Sequence, residues 1–170
     1  MTITLNSLTT IGHPDPKILF RVYRNSWRIF TYHSKDHDYY KIAAEVIRKD
    51  KKYINDHRNL LTNLGNRCES GLPLTTMYDE KELHEICKAK CSNLKSELKI
   101  FRIRKNDLRL IFIYYPPNKE IILLDLLIKK KDKYSNGELD KIRRIACSIF
   151  TDDDIKKELN DDENYEEQLT

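Results

Sequence analysis

The chain has 170 residues, 34% charged and 39% hydrophobic, with a formal net charge of +4. That length suits one domain with a real core. No apolar run reaches the ~18 residues of a transmembrane helix, and "MTITLNSLTT" has no basic start followed by an apolar stretch, so neither a membrane protein nor a secretory leader is expected. Four cysteines (Cys68, Cys87, Cys91, Cys147) are too few in a chain this long for a disulfide scaffold. The expected setting is a reducing cytoplasm.

In chain order, "KILFRVYRNSWRIFTYH" (Lys17–His33) reads as two β-rich runs about Asn25-Ser26, a hairpin. From Asp36 the spacing of Tyr40, Ile42, Ala43, Val46 and Ile47 is helical, and Ile54, Leu60, Leu61 and Leu64 predict a second helix. "GNRCESGLP" (Gly65–Pro73) supplies stop and loop signals. A third helix is predicted from Asp79 to about Asn93, with Leu83, Cys87, Cys91 and Leu94 as its apolar stripe. Strands follow at Leu98–Lys105, Leu108–Tyr115 and Ile121–Ile128, joined by Asn106-Asp107 and by "PPNK" (Pro116–Lys119). A last helix spans about Asn136 to Phe150. The expected class is α+β: an antiparallel sheet, made of a C-terminal three-stranded meander plus an N-terminal strand or hairpin, packed on a helical hairpin and a C-terminal helix. Residues 1–26 read as an N-terminal extension with room for an added strand, 27–150 as the main domain, and 151–170 as an acidic tail of disordered composition.

The two-residue turn sets a register. Lys105 should face Leu108, so Arg104 faces Arg109 and Arg102 faces Ile111, and the three arginines leave one face of the sheet. Like charges directly opposite one another are destabilising, so a neutralising group is expected: an internal acid or an anionic ligand. The internal candidate is Asp125, which reaches the arginine face if PPNK forms a three-residue connection and points away if it forms four. One acid leaves an excess over three guanidiniums, whose planar fork suits phosphate. Lys129, Lys130, Lys131, Lys133 and Tyr134 follow at the end of the last strand, beside Arg109. Basic groups with an aromatic ring nearby are what single-stranded RNA binding requires. Residues 99–145 hold 13 Lys/Arg against 6 Asp/Glu, net +7, while 151–170 hold 2 against 9, net −7. The first suggests a polyanionic partner, and the second could mask it by folding back.

"FRIR", "LRLIF", "LLDLLIKK" and the "ESGLP" turn together resemble the RelE/ParE toxin superfamily of type II toxin–antitoxin systems, over roughly Trp27–Phe150. The resemblance implies a strand, a helical hairpin, a Gly/Pro-containing connection and a three-stranded meander. In the RelE-like branch it implies an mRNA interferase, an endoribonuclease hydrolase that inhibits translation, commonly on the ribosome. The RNA 2′-hydroxyl is then the nucleophile and basic residues neutralise the scissile phosphate. By position, Arg109, Lys129, Lys130 and Tyr134 are the implied catalytic group. Arg109 would lie at the phosphate, Lys129 or Lys130 would stabilise charge or donate a proton, and Tyr134 would stack on a base or assist proton transfer. Arg102, Arg104, Lys105, Lys131 and Lys133 are the implied RNA-binding residues. The implied partners are a cognate antitoxin, mRNA and the ribosome, with no membrane, metal or cofactor. The ParE-like branch, which poisons gyrase without cutting RNA, and a non-catalytic binding module of the same fold stay open.

Other constellations are weaker. His84, Cys87 and Cys91 would share a helical face, with Cys68 as a fourth zinc ligand, but they also continue an apolar stripe, where free cysteine acts as a small hydrophobe. His33 and His37 lie beside acids, where helix capping by Ser34 or Asp36 is the simpler reading. With only four glycines the chain has no phosphate-binding glycine loop.

Overall fold

The computed structural model describes residues 4–7, 27–33, 37–92, 94–115 and 119–151. The order is β1 (Thr4–Ser7), β2 (Arg28–His33), α1 (Tyr39–Ile47), α2 (Lys51–Cys68), α3 (Leu74–Met77), β3 (Leu83–Ala89), β4 (Leu98–Lys105), β5 (Leu108–Tyr115), β6 (Glu120–Ile128) and α4 (Asn136–Thr151). The fold is α+β, on a six-stranded sheet of order β1-β2-β6-β5-β4-β3. The sheet is mixed rather than antiparallel throughout, because β2 runs parallel to β6 while every other pair is antiparallel. A parallel pair needs a long crossover, and the helices and the meander between β2 and β6 supply it. Of the predicted Lys17–His33 hairpin, only Arg28–His33 falls among the described strand residues, and its turn lies outside them. The acidic tail beyond Thr151 also lies outside them.

Each sheet face carries its own core. On one face Tyr39, Val46, Tyr53, Leu60 and Leu64 from α1 and α2 pack on Ile103, Leu110, Phe112 and Leu123. On the other, Ile142, Ala146 and Ile149 of α4 pack on Phe30, Ile100, Ile111, Ile113 and Ile122. β5 and β6 lie between the two, so their near-continuous apolar sequences are those of strands covered on both sides. A fully buried Ile or Leu side chain contributes about 1.5–3 kcal/mol.

The helix caps differ from those expected. Asp38, not Ser34 or Asp36, caps α1 by accepting from the Tyr40 amide at 2.9 Å, and Asp50 caps α2 through Lys52 N at 3.1 Å. α2 runs on through Gly65 to Cys68, so the stop signal acts later, where Gly71 takes a positive φ of 69°. Ile54 points outward, and Tyr53 takes the inward position instead.

The predicted third helix is an edge strand. Leu83, Cys87 and Cys91 are four apart, a spacing that fits a helix but also an even-numbered strand alternation. β3 pairs antiparallel with β4, and a bulge between Glu85 and Cys87 shifts the register. Leu83 consequently joins the α1/α2 core, whereas Cys87 and Ala89 join the α4 core. Just after β3, Cys91 is not a free thiol. It is bonded to Cys147 of α4 across a Cα–Cα distance of 5.3 Å, while Cys68 and Cys87 remain free and buried. That bond ties the helix to the sheet edge it covers, over 56 residues of chain. Reducing it, or changing both cysteines to alanine, should lower stability by about 2–4 kcal/mol. Urea melts with and without a thiol reductant check this, and coincident curves for oxidised and reduced protein would show that the bond contributes nothing.

Candidate functional site

The β4–β5 turn has the predicted two-residue form, with Lys105 opposite Leu108, Arg104 opposite Arg109 and Arg102 opposite Ile111. Asn106 takes a positive φ of 52°, which asparagine tolerates. Its side-chain amide donates to both carboxylate oxygens of buried Asp56 on α2, at 3.1 Å each, so α2 fixes the turn from below. Ile100 and Ile111 belong to the α4 core, so Arg102, Arg104 and Arg109 leave the sheet on that same face.

The acid that meets them is Asp132, not Asp125. Arg102 Nη2 donates to Asp132 Oδ2 at 2.7 Å and Arg109 Nε to Oδ1 at 2.6 Å, with Arg104 Nη1 3.5 Å from Oδ2. Arg102 Nη1 also donates to the carbonyls of Lys81 and Glu82, and Arg109 Nη1 to those of Asn106 and Leu108. Arg102 is 4% exposed and Arg109 2%, whereas the Arg104 side chain is 42% exposed. Burial alone would raise the Asp132 pKa. The hydrogen bond from Arg109 and the charges of Arg102 and Arg109 outweigh it and hold the carboxyl below its usual range. For Arg102, burial lowers the pKa although Asp132 opposes the shift. The cluster still carries three guanidiniums against one carboxylate.

Asp125 does not join the cluster. Tyr115 pairs with Glu120, so the PPNK connection has four residues, the case in which Asp125 should point away. A bulge then inserts Leu124 and sets Asp125 opposite Ile111, back on the arginine face but two residues short of Arg109. There it accepts from the Leu126 amide at 2.9 Å. Burial raises its pKa, against the weaker opposing effects of that hydrogen bond and of the His37 and Lys141 charges.

The segment from Lys129 to Ser135 crosses the arginine row on its way to α4. Its far end is a capping box, in which Glu138 N donates to Ser135 Oγ at 3.2 Å and Ser135 N to Glu138 Oε2 at 2.9 Å. Lys129 Nζ donates to both Glu138 oxygens, at 2.8 and 3.0 Å, and lies 4.7 Å from the Tyr134 ring centroid. Tyr134 packs against the α4 core, its hydroxyl is buried without a hydrogen-bond partner, and burial pushes its pKa up to about 12. Lys130, Lys131 and Lys133 are exposed on either side of Asp132 in the same segment, whereas Lys105, exposed and paired with Leu108 of the α1/α2 core, leaves the sheet on the opposite face.

The structure therefore brings Arg102, Arg104 and Arg109 together at Asp132 and Lys129 beside Tyr134 and Glu138, and leaves Lys105 on the other face. Arg102, Arg109, Lys129 and Tyr134 are engaged with protein groups or packed. Arg104, Lys130, Lys131 and Lys133 face solvent and can meet a polyanion. Two residues were missed in the sequence. Asp132 is the one acid in the lysine run, a signal that was present but unread. His84 was placed on a helix; the observed register puts it opposite Arg102. The zinc set is not assembled, because Cys91 is in a disulfide and Cys68 lies on the opposite sheet face from Cys87. Among the described residues no group of three or more His, Cys, Asp or Glu could hold a metal ion, and no helix is long and apolar enough to cross a membrane. No protein-family model, curated protein or solved structure matches the chain.

Two groups set an acid response with separate windows. Burial lowers the His57 pKa to about 4 from 6.5, so its neutral form stabilises the fold above about 6.5, and this is lost as pH falls towards 4. The depressed Asp132 pKa contributes stability that is full above its unfolded value of 3.8 and lost as pH falls through the folded one. Asp132→Asn should flatten the stability curve below pH 4, and His57→Gln should flatten it between 4 and 6.5. At neutral pH, Asp132→Ala should cost on the order of 2–3 kcal/mol, less than a fully buried pair because Asp132 is 26% exposed. Urea melts across pH 3–8 check all three.

Proposed function

We propose that the chain is a RelE-like toxin that binds and cleaves mRNA and is restrained by a cognate antitoxin. The observation that carries this reading is the convergence of Arg102 and Arg104 of β4 and Arg109 of β5 on one sheet face, around the single carboxylate of Asp132, which leaves positive charge in excess. The order of elements supports it. β2, the pair α1 and α2, a connection holding Gly71 and Pro73, and the meander β4-β5-β6 follow the sequence that the resemblance implies.

In this reading Arg104, Lys131 and Lys133 grip the RNA backbone, Lys130 neutralises charge as the 2′-hydroxyl attacks the scissile phosphate, and Lys105, on the other face, takes no part. Arg109 acts from beneath, where its guanidinium adds to the field but holds Asp132 rather than the phosphate. Lys129 acts likewise through Glu138, and Tyr134 stacks only if the 129–135 segment lifts.

A second reading, a ParE-like gyrase inhibitor or a non-catalytic binding module, draws on a specific observation. The two most central arginines are buried and hydrogen-bonded, and the tyrosine hydroxyl is enclosed. A face built this way can bind a polyanion or an acidic protein surface without cutting it.

Induced expression of the full chain should arrest growth and generate cleaved mRNA within minutes, and Arg104→Ala should reduce cleavage at least tenfold with the melting temperature unchanged. Growth arrest with intact mRNA and damaged DNA would favour the second reading. Arg109→Ala is the weaker test, because loss of a buried guanidinium should lower stability as well as activity.

A further inference from the structure

β3 and β4 are antiparallel, with His84 directly opposite Arg102. Residues so opposed project from the same face, their Cβ atoms about 4.5–5.5 Å apart. Their neighbours Leu83 and Ile103, themselves a pair, point into the α1/α2 core. His84 therefore emerges on the other face, the one that carries Arg102, Arg104 and Arg109. β3 is the last strand of the sheet, and His84 is exposed while Arg102 beside it is buried. The imidazole stands at the rim of the cluster, on the same face as the exposed Arg104.

The other described histidine side chains are committed elsewhere. His57 shares a 2.8 Å hydrogen bond with the Tyr39 hydroxyl, and buried His37 donates to the Leu124 carbonyl. The lysines around Asp132 carry ammonium groups, which donate protons but have no lone pair to accept one. Cleavage by an internal hydroxyl needs a proton acceptor beside the groups that hold the phosphate, and at this face an exposed imidazole is the suitable chemistry.

We propose that His84 is the general base of this site, an inference that rests on the ribonuclease reading above. With single-stranded RNA across the arginine face, the 2′-O–H bond breaks and its proton passes to an imidazole nitrogen. The 2′ oxygen bonds to phosphorus as the bond from phosphorus to the 5′ oxygen breaks, leaving a 2′,3′-cyclic phosphate. The departing 5′ oxygen takes a proton from water, and the imidazolium returns its own to solvent. The extra charge on the phosphate is met by Arg104 and the exposed lysines.

The test uses the full chain in a cell-free translation reaction with a defined mRNA, cleavage being read by primer extension. Retention of a 2′-O-methyl RNA, which cannot be cut, reads binding separately. His84→Ala and His84→Gln should slow cleavage by about 10²–10³-fold, keep RNA retention within about threefold of wild type, and melt normally. Free imidazole should restore part of the rate to His84→Ala. Undiminished cleavage by His84→Ala, or an equal loss of cleavage and retention, overturns the assignment of His84 alone. Failure of the wild-type chain to cut the mRNA overturns the ribonuclease reading, and the assignment falls with it.

Discussion

The carboxylate of Asp132 holds the functional end of this molecule together. Taking a guanidinium out of water costs several kcal/mol unless its hydrogen-bonding groups are met and an opposite charge lies close. Asp132 and four backbone carbonyls supply that charge and most of those bonds to Arg102 and Arg109, while Arg102 Nε stays buried without a partner. Those carbonyls belong to the approach to β3 and to the β4–β5 turn, while Asp132 comes from the segment after β6. One acid thus ties three parts of the chain to a single point. The capping box at Ser135 and Glu138, with Lys129 on the same carboxylate, secures the far end of that segment.

This arrangement sorts the basic residues by burial. The inner arginines orient the carboxylate and hold the turn, so their charge acts at a distance through a low-dielectric interior. The outer residues, Arg104 and the lysines at 130, 131 and 133, stay hydrated and can exchange solvent counterions for phosphate. A polyanion met by this face would touch the second set and feel the field of the first. Substitutions in the two sets should consequently fail differently, one through the fold and the other through contact.

Much of the face was legible because its parts are local. The Asn106-Asp107 turn, with Asn106 at positive φ, fixes the β4–β5 register, and the parity of Arg102, Arg104 and Arg109 follows from it. The almost continuous apolar run "EIILLDLLI" likewise marks β6 as a strand covered on both faces. What escaped depended on distant pairing. The Leu83–Ala89 segment has spacing that serves a helix or a bulged strand, and only its pairing with β4 decides between them. The pairing of Cys91 with Cys147 followed from that strand and from α4 lying over it. His84 was hidden for the same reason: on a helix it had cysteines for neighbours, and on the strand it has Arg102.

The two acids show why counting charges along a chain does not locate an ion pair. Asp125 interrupts a long apolar strand and looks like the natural counterion, whereas Asp132 looks diluted among lysines. Strand position reverses this. β6 enters beside Tyr115 and leaves beside Leu108, so its end, not its middle, arrives at Arg109, and the bulge at Leu124 does not carry Asp125 far enough. Desolvation then dominates at Asp125 and raises its pKa, while at Asp132 the same desolvation is outweighed by the arginines. A carboxylate in the middle of β6 would also lie under α4, where closing the cluster would bury it from any incoming anion. Placed in the exit segment, Asp132 leaves the cluster open at its rim, where Arg104 reaches solvent and His84 stands on the edge strand.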